Sequence, residues 1–251
     1  MVYRAILSKS EKKQGMVILI TGASRGIGAA TAPLLTASGH TVLLVSRNRK
    51  LLEEVAVECN REAGAELAHP IPFDLSDLSD LEHEFVSRIR GVVPRVDGLI
   101  NNAGQLLNKP FREVTVGMAR GLFDINFFIP AQLIRICLPL MEGSPLKHVV
   151  NVSSMGGYQG SSKFPGLSYY SASKAALASL TECLAEELKE TGVRCNALAL
   201  GSVQTEMLSE AFPGFRAPLQ PEEMGRFFRW FILEGGHYFN GKVLPVSVST
   251  P

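Results

Sequence analysis

Cysteine is scarce in this chain and never paired along it. Cys59, Cys137, Cys183 and Cys195 form no Cys-x-x-Cys and no closely spaced framework. That excludes a disulfide scaffold and leads us to expect a reduced, cytoplasmic chain. The five histidines, His40, His69, His83, His148 and His237, show no HExxH-type spacing, so no metal site is expected. Charge of one sign is not in excess. The net charge is +1 and the Lys and Arg residues are scattered, which argues against a nucleic-acid or anionic-membrane surface. No uninterrupted apolar run reaches the roughly 18 residues of a membrane span. The opening MVYRAILSKSEKKQG is too polar for a signal peptide, and residues 1–15 read as an N-terminal arm, either loose or packed on the domain. Internal repeats, linkers and low-complexity tracts are also lacking, so residues 1–251 read as a single domain.

What the chain does have is alternation. MVILIT at 16–21 is apolar throughout, as a strand buried on both faces must be. TVLLVS (41–46), VDGLIN (96–101), KHVVNVSS (147–154), VRCNALAL (193–200) and GKVLPVSV (241–248) read as further strands. LAHPIPF (67–73) is a weaker strand, because Pro70 and Pro72 remove ladder donors. Helical patterns fill the intervals: from the first glycine-rich turn to about 38, then 51–64, 78–91, 117–141, 169–189 and 221–233. Pro33 interrupts the first helix, Pro130 and Pro139 mark kinks or stops in the fourth, and Pro221 opens the last. With 46% hydrophobic residues the chain has enough apolar mass for a substantial core. The expected fold is α/β: a Rossmann-type, doubly wound, mostly parallel sheet with helices on both faces.

TGASRGIG (21–28) follows the first strand and opens a helix. Glycines at 22, 26 and 28 allow a tight turn and let a pyrophosphate approach the backbone, where the helix N-terminus offers unpaired N–H groups. Glycines alone fit a plain turn equally well; their place after the first buried strand favours the ligand. Gly22, Ser24, Arg25, Gly26, Ile27 and Gly28 are therefore candidate cofactor contacts. The second strand ends in Ser46 and Arg47, where a dinucleotide fold that prefers NAD carries an acid. Arg25 and Arg47 suit a 2′-phosphate, which points to NADP(H); the alternative is two solvated surface charges.

Tyr170 and Lys174 lie one helical turn apart and share a face. An ammonium beside a phenol favours the phenolate and is expected to lower its pKa from about 10. Tyr169 is rotated off that face and is expected to pack or line a pocket. By itself this spacing also fits an aromatic and a cation on an amphipathic helix.

TGASRGIG, FDLSD, LINNAG, FDIN, VVNVSS, YSASK and GSVQT occur in that order between residues 16 and 248. Together they resemble the short-chain dehydrogenase/reductase family. The resemblance implies that Tyr170 protonates a carbonyl oxygen as hydride arrives from the nicotinamide, that Ser154 hydrogen-bonds that oxygen, with Ser153 the neighbouring candidate, and that Lys174 tunes the tyrosine and grips the nicotinamide ribose. Asn126 would hold a water linking Lys174 to solvent. Asn102, Ala103 and Gly104 would wall the adenine side, and Asp74 and Leu75 would contact the adenine, although Asp74 equally fits a helix cap. Val203 and Thr205 would face the nicotinamide. Leu200-Gly201 stands where the family has Pro-Gly, which puts the pose of Thr205 in question.

Residues 206–220 fall where the family keeps a substrate lid. Met207, Leu208, Phe212 and Phe215 make it apolar, and Arg216 is a candidate anion contact. Tyr158, Phe164 and Tyr169 are expected to border the same cleft. The implied activity is NADP(H)-dependent interconversion of a lipophilic ketone or aldehyde with its alcohol: a ketosteroid, sphingoid ketone, 3-ketoacyl chain or aromatic carbonyl. Two other readings are a non-catalytic NADP(H) sensor or scaffold and a nucleotide-sugar epimerase or dehydratase. The hydroxyl pair argues against the first, and the short chain after Leu200 against the second. A homotetramer or homodimer is implied by the family.

Overall fold

The computed structural model describes residues 15–76 and 81–248. The expected arm, apart from Gly15, and the start of the helix expected from 78 lie outside these residues. Among the described residues seven strands form one parallel sheet: β1 (Val17–Thr21), β2 (Thr41–Ser46), β3 (Ala68–Pro72), β4 (Gly98–Asn101), β5 (His148–Ser154), β6 (Arg194–Leu200) and β7 (Val243–Val246). Their order is β3-β2-β1-β4-β5-β6-β7. The chain winds outward from β1 to β3, then crosses back to β4 beside β1. That reversal opens a crevice at the carboxyl ends of β1 and β4, the place where this class of sheet binds ligands.

Eight α-helices matter to the argument: α1 (Gly26–Thr36), α2 (Arg49–Ala63), α3 (Val86–Arg90), α4 (Val116–Phe123), α5 (Ile129–Cys137), α6 (Ser168–Glu187), α7 (Glu206–Ala211) and α8 (Pro221–Trp230). Alternate strand residues face opposite layers. Ile18, Ile20, Val42 and Leu44 pack with Leu35 of α1, Leu52 of α2 and Phe228 of α8. Leu19, Leu43 and Val45 point the other way, into a core with Ile89, Leu133, Ile134 and Cys137. Both faces are covered, so the central strands are apolar without a break.

β3 keeps its two prolines because it is an edge strand, paired to β2 alone. The helix expected over 117–141 is interrupted. A π-helical turn at Asp124–Phe128 separates α4 from α5, and Pro139 starts a 3₁₀ turn. The N–H of Ile129 reaches back five residues to the carbonyl of Asp124. The wide turn leaves Asn126 fully buried, facing inward. Pro130 follows, with no N–H to give to the Asn126 carbonyl. The helix expected over 221–233 likewise ends in a π turn, Phe231–Gly235. Among the described residues no helix is long and apolar enough to cross a membrane.

Candidate active site

The turn after β1 is built for close approach. Gly22 and Gly26 adopt φ of 67° and 56°, a region that favours glycine. A Cβ on Gly28 would lie 2.6 Å from the Gly22 carbonyl oxygen and 2.8 Å from Nδ2 of Asn102. Arg25 stands at the N-cap of α1 with no side-chain cap bond, and no acid occupies the first turn. Ile27 is half-buried behind it. The Gly22–Gly28 cradle and the basic residue beside it fit a dinucleotide phosphate.

The loop after β4 is tied to this turn. The N–H groups of Asn102 and Ala103 both donate to Thr21 Oγ1, at 3.0 and 2.9 Å. Asn102 Nδ2 donates to the carbonyls of Thr21 and Gly22, at 2.9 and 3.2 Å. Deeper in the sheet, Asn101 donates to Asn151 at 2.8 Å, and Asn151 to Thr181 of α6 at 2.9 Å.

At the end of β2, Ser46 and Ser24 share a 2.9 Å hydrogen bond between hydroxyls. Arg47 is exposed beside them, and Arg25 forms an ion pair with Glu210 of α7 at 3.3 Å. Asp74 accepts from the N–H and the hydroxyl of Ser76, at 3.0 and 2.7 Å. Those bonds, with the Arg47 charge nearby, hold its carboxyl below the ordinary value. Asp74 thus makes the turn bonds that a cap would make; residues 77–80 beyond them are outside the described part. Leu75 is buried in the core, so any contact it makes to a ligand falls to its backbone.

Tyr170 is half-buried in the first turn of α6 and hydrogen-bonded to the Ser154 hydroxyl at the end of β5. Ser153 faces the other way: its Oγ donates to the Lys174 carbonyl at 2.9 Å. Strand alternation thus separates two adjacent hydroxyls, one toward the phenol and one into the sheet–helix seam. Lys174 is buried and its Nζ donates to the Val152 carbonyl at 2.8 Å. A Cβ on Gly104 would lie 3.2 Å from Asn126 Oδ1 and 3.3 Å from Lys174 Nζ, so these polar atoms converge on one glycine.

One expectation needs correction. Burial raises the Tyr170 pKa above its ordinary value, and the Ser154 bond offsets this only in part. The lysine does not lower it, because the amine is directed at Val152 and burial pushes its own pKa down to about 8. The Asn126 side-chain amide is committed to protein atoms. It accepts from the Gln105 N–H at 2.8 Å and donates to the Gln105 carbonyl at 2.9 Å and to Ser173 Oγ at 3.1 Å.

Sequence reasoning missed the residues that bring this set together. Gly156 and Gly157 follow Ser154. A Cβ on Gly157 would lie 2.6 Å from the Ala175 nitrogen, and one on Gly156 2.9 Å from Ser171 Oγ. The glycine pair lets α6 close on the end of β5 and brings Tyr170 within reach of Ser154. The GG one residue after the two serines was the available signal. Tyr169 stacks on Phe111, with ring centroids 5.6 Å apart and 12° between planes. Tyr158 is half-buried nearby in sequence, and Phe164 is exposed.

The expected lid at 206–220 contains the short helix α7, capped by Thr205, whose Oγ1 accepts from the Leu208 N–H at 3.3 Å. Val203, buried, bridges to Leu219 and closes the loop. A Cβ on Gly201 would strike Ser247, which explains why that glycine stays although the preceding residue is leucine. Met207, Leu208 and Phe212 are half-buried, and Phe215 and Arg216 exposed. Among the described residues no group of three or more His, Cys, Asp and Glu side chains is placed to hold a metal ion.

Comparison with known proteins agrees with this architecture. An uncharacterized oxidoreductase of Staphylococcus saprophyticus is 31% identical over 228 residues, covering 89% of this chain and 94% of that one. A fatty acyl-CoA reductase of Acinetobacter baylyi is 33% identical over 227 residues, covering 89% and 75%. A solved structure from Escherichia coli, described as a short chain dehydrogenase complexed with NADPH, superposes with a TM-score of 0.83 at 29% identity, covering 92% and 95%. The short chain dehydrogenase profile matches residues 16–214, and the chain therefore belongs to that family of oxidoreductases.

Proposed function

We propose that the chain is an NADP(H)-dependent reductase that interconverts a lipophilic ketone or aldehyde and its alcohol. The dinucleotide, held by the Gly22–Gly28 turn, supplies the hydride donor or acceptor. Tyr170 holds the proton for the substrate oxygen, and its burial keeps the phenol protonated, as a general acid needs. Ser154 fixes the phenol and offers a second hydrogen bond to the same oxygen. Lys174 anchors the nicotinamide ribose and is kept in register by Val152. Asn126 secures the Gln105 loop with its amide, and its main-chain carbonyl is the group left for a water. Asn102, Ala103, Gly104, Asp74 and Leu75 border the adenine, and Val203 and Thr205 the nicotinamide. The reading rests on one observation: Tyr170 hydrogen-bonds Ser154, and Lys174 and Asn126 converge on Gly104 in the loop tied to the phosphate turn.

Arg25, Arg47 and the absence of an acid at Ser46 favour a 2′-phosphate, and the Escherichia coli relative was solved with NADPH. Phe111 exposed on Tyr169, and the exposed Phe164 and Phe215, favour an apolar substrate, in keeping with a relative described as a fatty acyl-CoA reductase. The whole chain acts as one domain in a cytoplasmic homotetramer or homodimer. The test is NADPH absorbance against a panel of ketones, aldehydes and 3-ketoacyl thioesters. Turnover is expected in the wild type and not in Tyr170→Phe, which still binds NADPH. Turnover by Tyr170→Phe would overturn the acid role.

A further inference from the structure

The lid helix α7 lies against the phosphate-binding turn and presents carboxylates to it. Glu210 pairs with Arg25 at 3.3 Å. Glu206 Oε2 lies 3.8 Å from where a Cβ on Gly26 would stand, with Thr205 Cγ2 at 3.3 Å from the same point. The two acids are four residues apart and share a face of α7. The helix is fixed in this position from both sides. Asn108 Nδ2 donates to the Ala211 carbonyl at 3.0 Å. Gln204 accepts from the Ala217 N–H at 2.8 Å and donates to Ser209 at 3.0 Å. Gly26 belongs to the turn that the cofactor reading assigns to phosphate, and Arg25 is one of the two cations it assigns to the 2′-phosphate.

We propose that Glu206 and Glu210 stand in for the cofactor's phosphates and make α7 an internal competitor for the dinucleotide site. The proposal rests on the NADP(H) reading above. Glu210 neutralises Arg25, so a 2′-phosphate gains that contact only by taking the arginine from the lid. Glu206 adds negative charge beside Gly26, where it opposes a pyrophosphate. The lid then senses the cofactor through a change of partner at Arg25, and affinity is lower than the glycine turn and arginines alone would give.

The test measures NADPH and NADH affinity by titration calorimetry in the wild type, Glu206→Gln, Glu210→Gln and Arg25→Ala, with thermal melting to verify folding. Both acids are exposed, so the variants are expected to fold. Glu210→Gln is expected to tighten NADPH about two- to five-fold, the size of an exposed ion pair, and leave NADH unchanged. Glu206→Gln is expected to tighten both. Unchanged or weaker binding in both glutamine variants overturns the proposal. Equal wild-type affinities for NADPH and NADH, unaltered in Arg25→Ala, overturn the cofactor reading instead; Glu206→Gln then still tests the competition with either dinucleotide.

Discussion

The Nζ of Lys174 donates to the main-chain carbonyl of Val152, two residues before Ser154, at 2.8 Å. The amine is buried, and that burial lowers its pKa to about 8 from 10.5. The folded chain therefore binds fewer protons here than the unfolded chain between pH 8 and about 10.4, and stability rises with pH across that window. At pH 7 the lysine opposes folding by about 3 kcal/mol, a cost tolerated for position. Lys174→Met is expected to raise the melting temperature by a few degrees at pH 7 and by less at pH 10, while kcat falls at least about 100-fold. A lower melting temperature in differential scanning calorimetry would contradict this.

The two serines should separate by readout. Ser154→Ala removes the bond to Tyr170 and is expected to lower kcat about 100-fold with a small change in melting temperature. Ser153→Ala removes the bond to the Lys174 carbonyl; it is expected to cost about 1 kcal/mol of stability and retain most of kcat. Steady-state kinetics with urea melts check the pair, and the reverse pattern would exchange their roles.

Gly157→Ala places a methyl against the backbone of Lys174 and Ala175, which has no flexible end to yield. A cost of about 1–3 kcal/mol is expected, with kcat reduced more than NADPH affinity, because α6 moves away from Ser154 and the glycine turn stays put. Unchanged kcat would show that the β5–α6 seam has slack.

His148 governs acid stability. Its Nδ1 donates to the Ile232 carbonyl at 2.9 Å, so Nε2 is the acceptor from Asn196 at 3.1 Å. Burial depresses its pKa to about 4. The unfolded imidazole takes up its proton near 6.5, so the contribution is complete above pH 6.5 and is lost as pH falls toward 4. About 3 kcal/mol is expected to go over that interval. Urea midpoints against pH measure it, and the slope should flatten in His148→Gln.

Cofactor choice is tested at the end of β2. Ser46→Asp puts an acid where Ser46 now meets Ser24, and is expected to shift preference from NADPH toward NADH by at least about tenfold. Arg47→Ala should weaken NADPH alone. Selectivity unchanged in both variants would remove the NADP(H) assignment.

The sequence alone was enough for the alternation of strands and helices and for the motifs that mark the family. β2 runs over the same 41–46 that the apolar pattern predicts, and α6 begins one residue before the expected 169. These elements were legible because a strand covered on both faces must be apolar throughout, and because glycine turns and a Tyr–Lys pair one turn apart are local features. Tertiary structure decided the rest. The six residues of α7 carry too short a pattern to announce a helix, and the π turn around Asn126 adds a single residue to one turn, too local a change to read from the apolar pattern. The direction of Ser153 against Ser154 depends on which side of β5 α6 packs. The raised Tyr170 pKa and the Arg25–Glu210 pair, 185 residues apart in sequence, arise from burial and from contacts between distant segments. Local spacing fixes which side chains share a face; only the packed fold sets how much water they lose and which charge they meet.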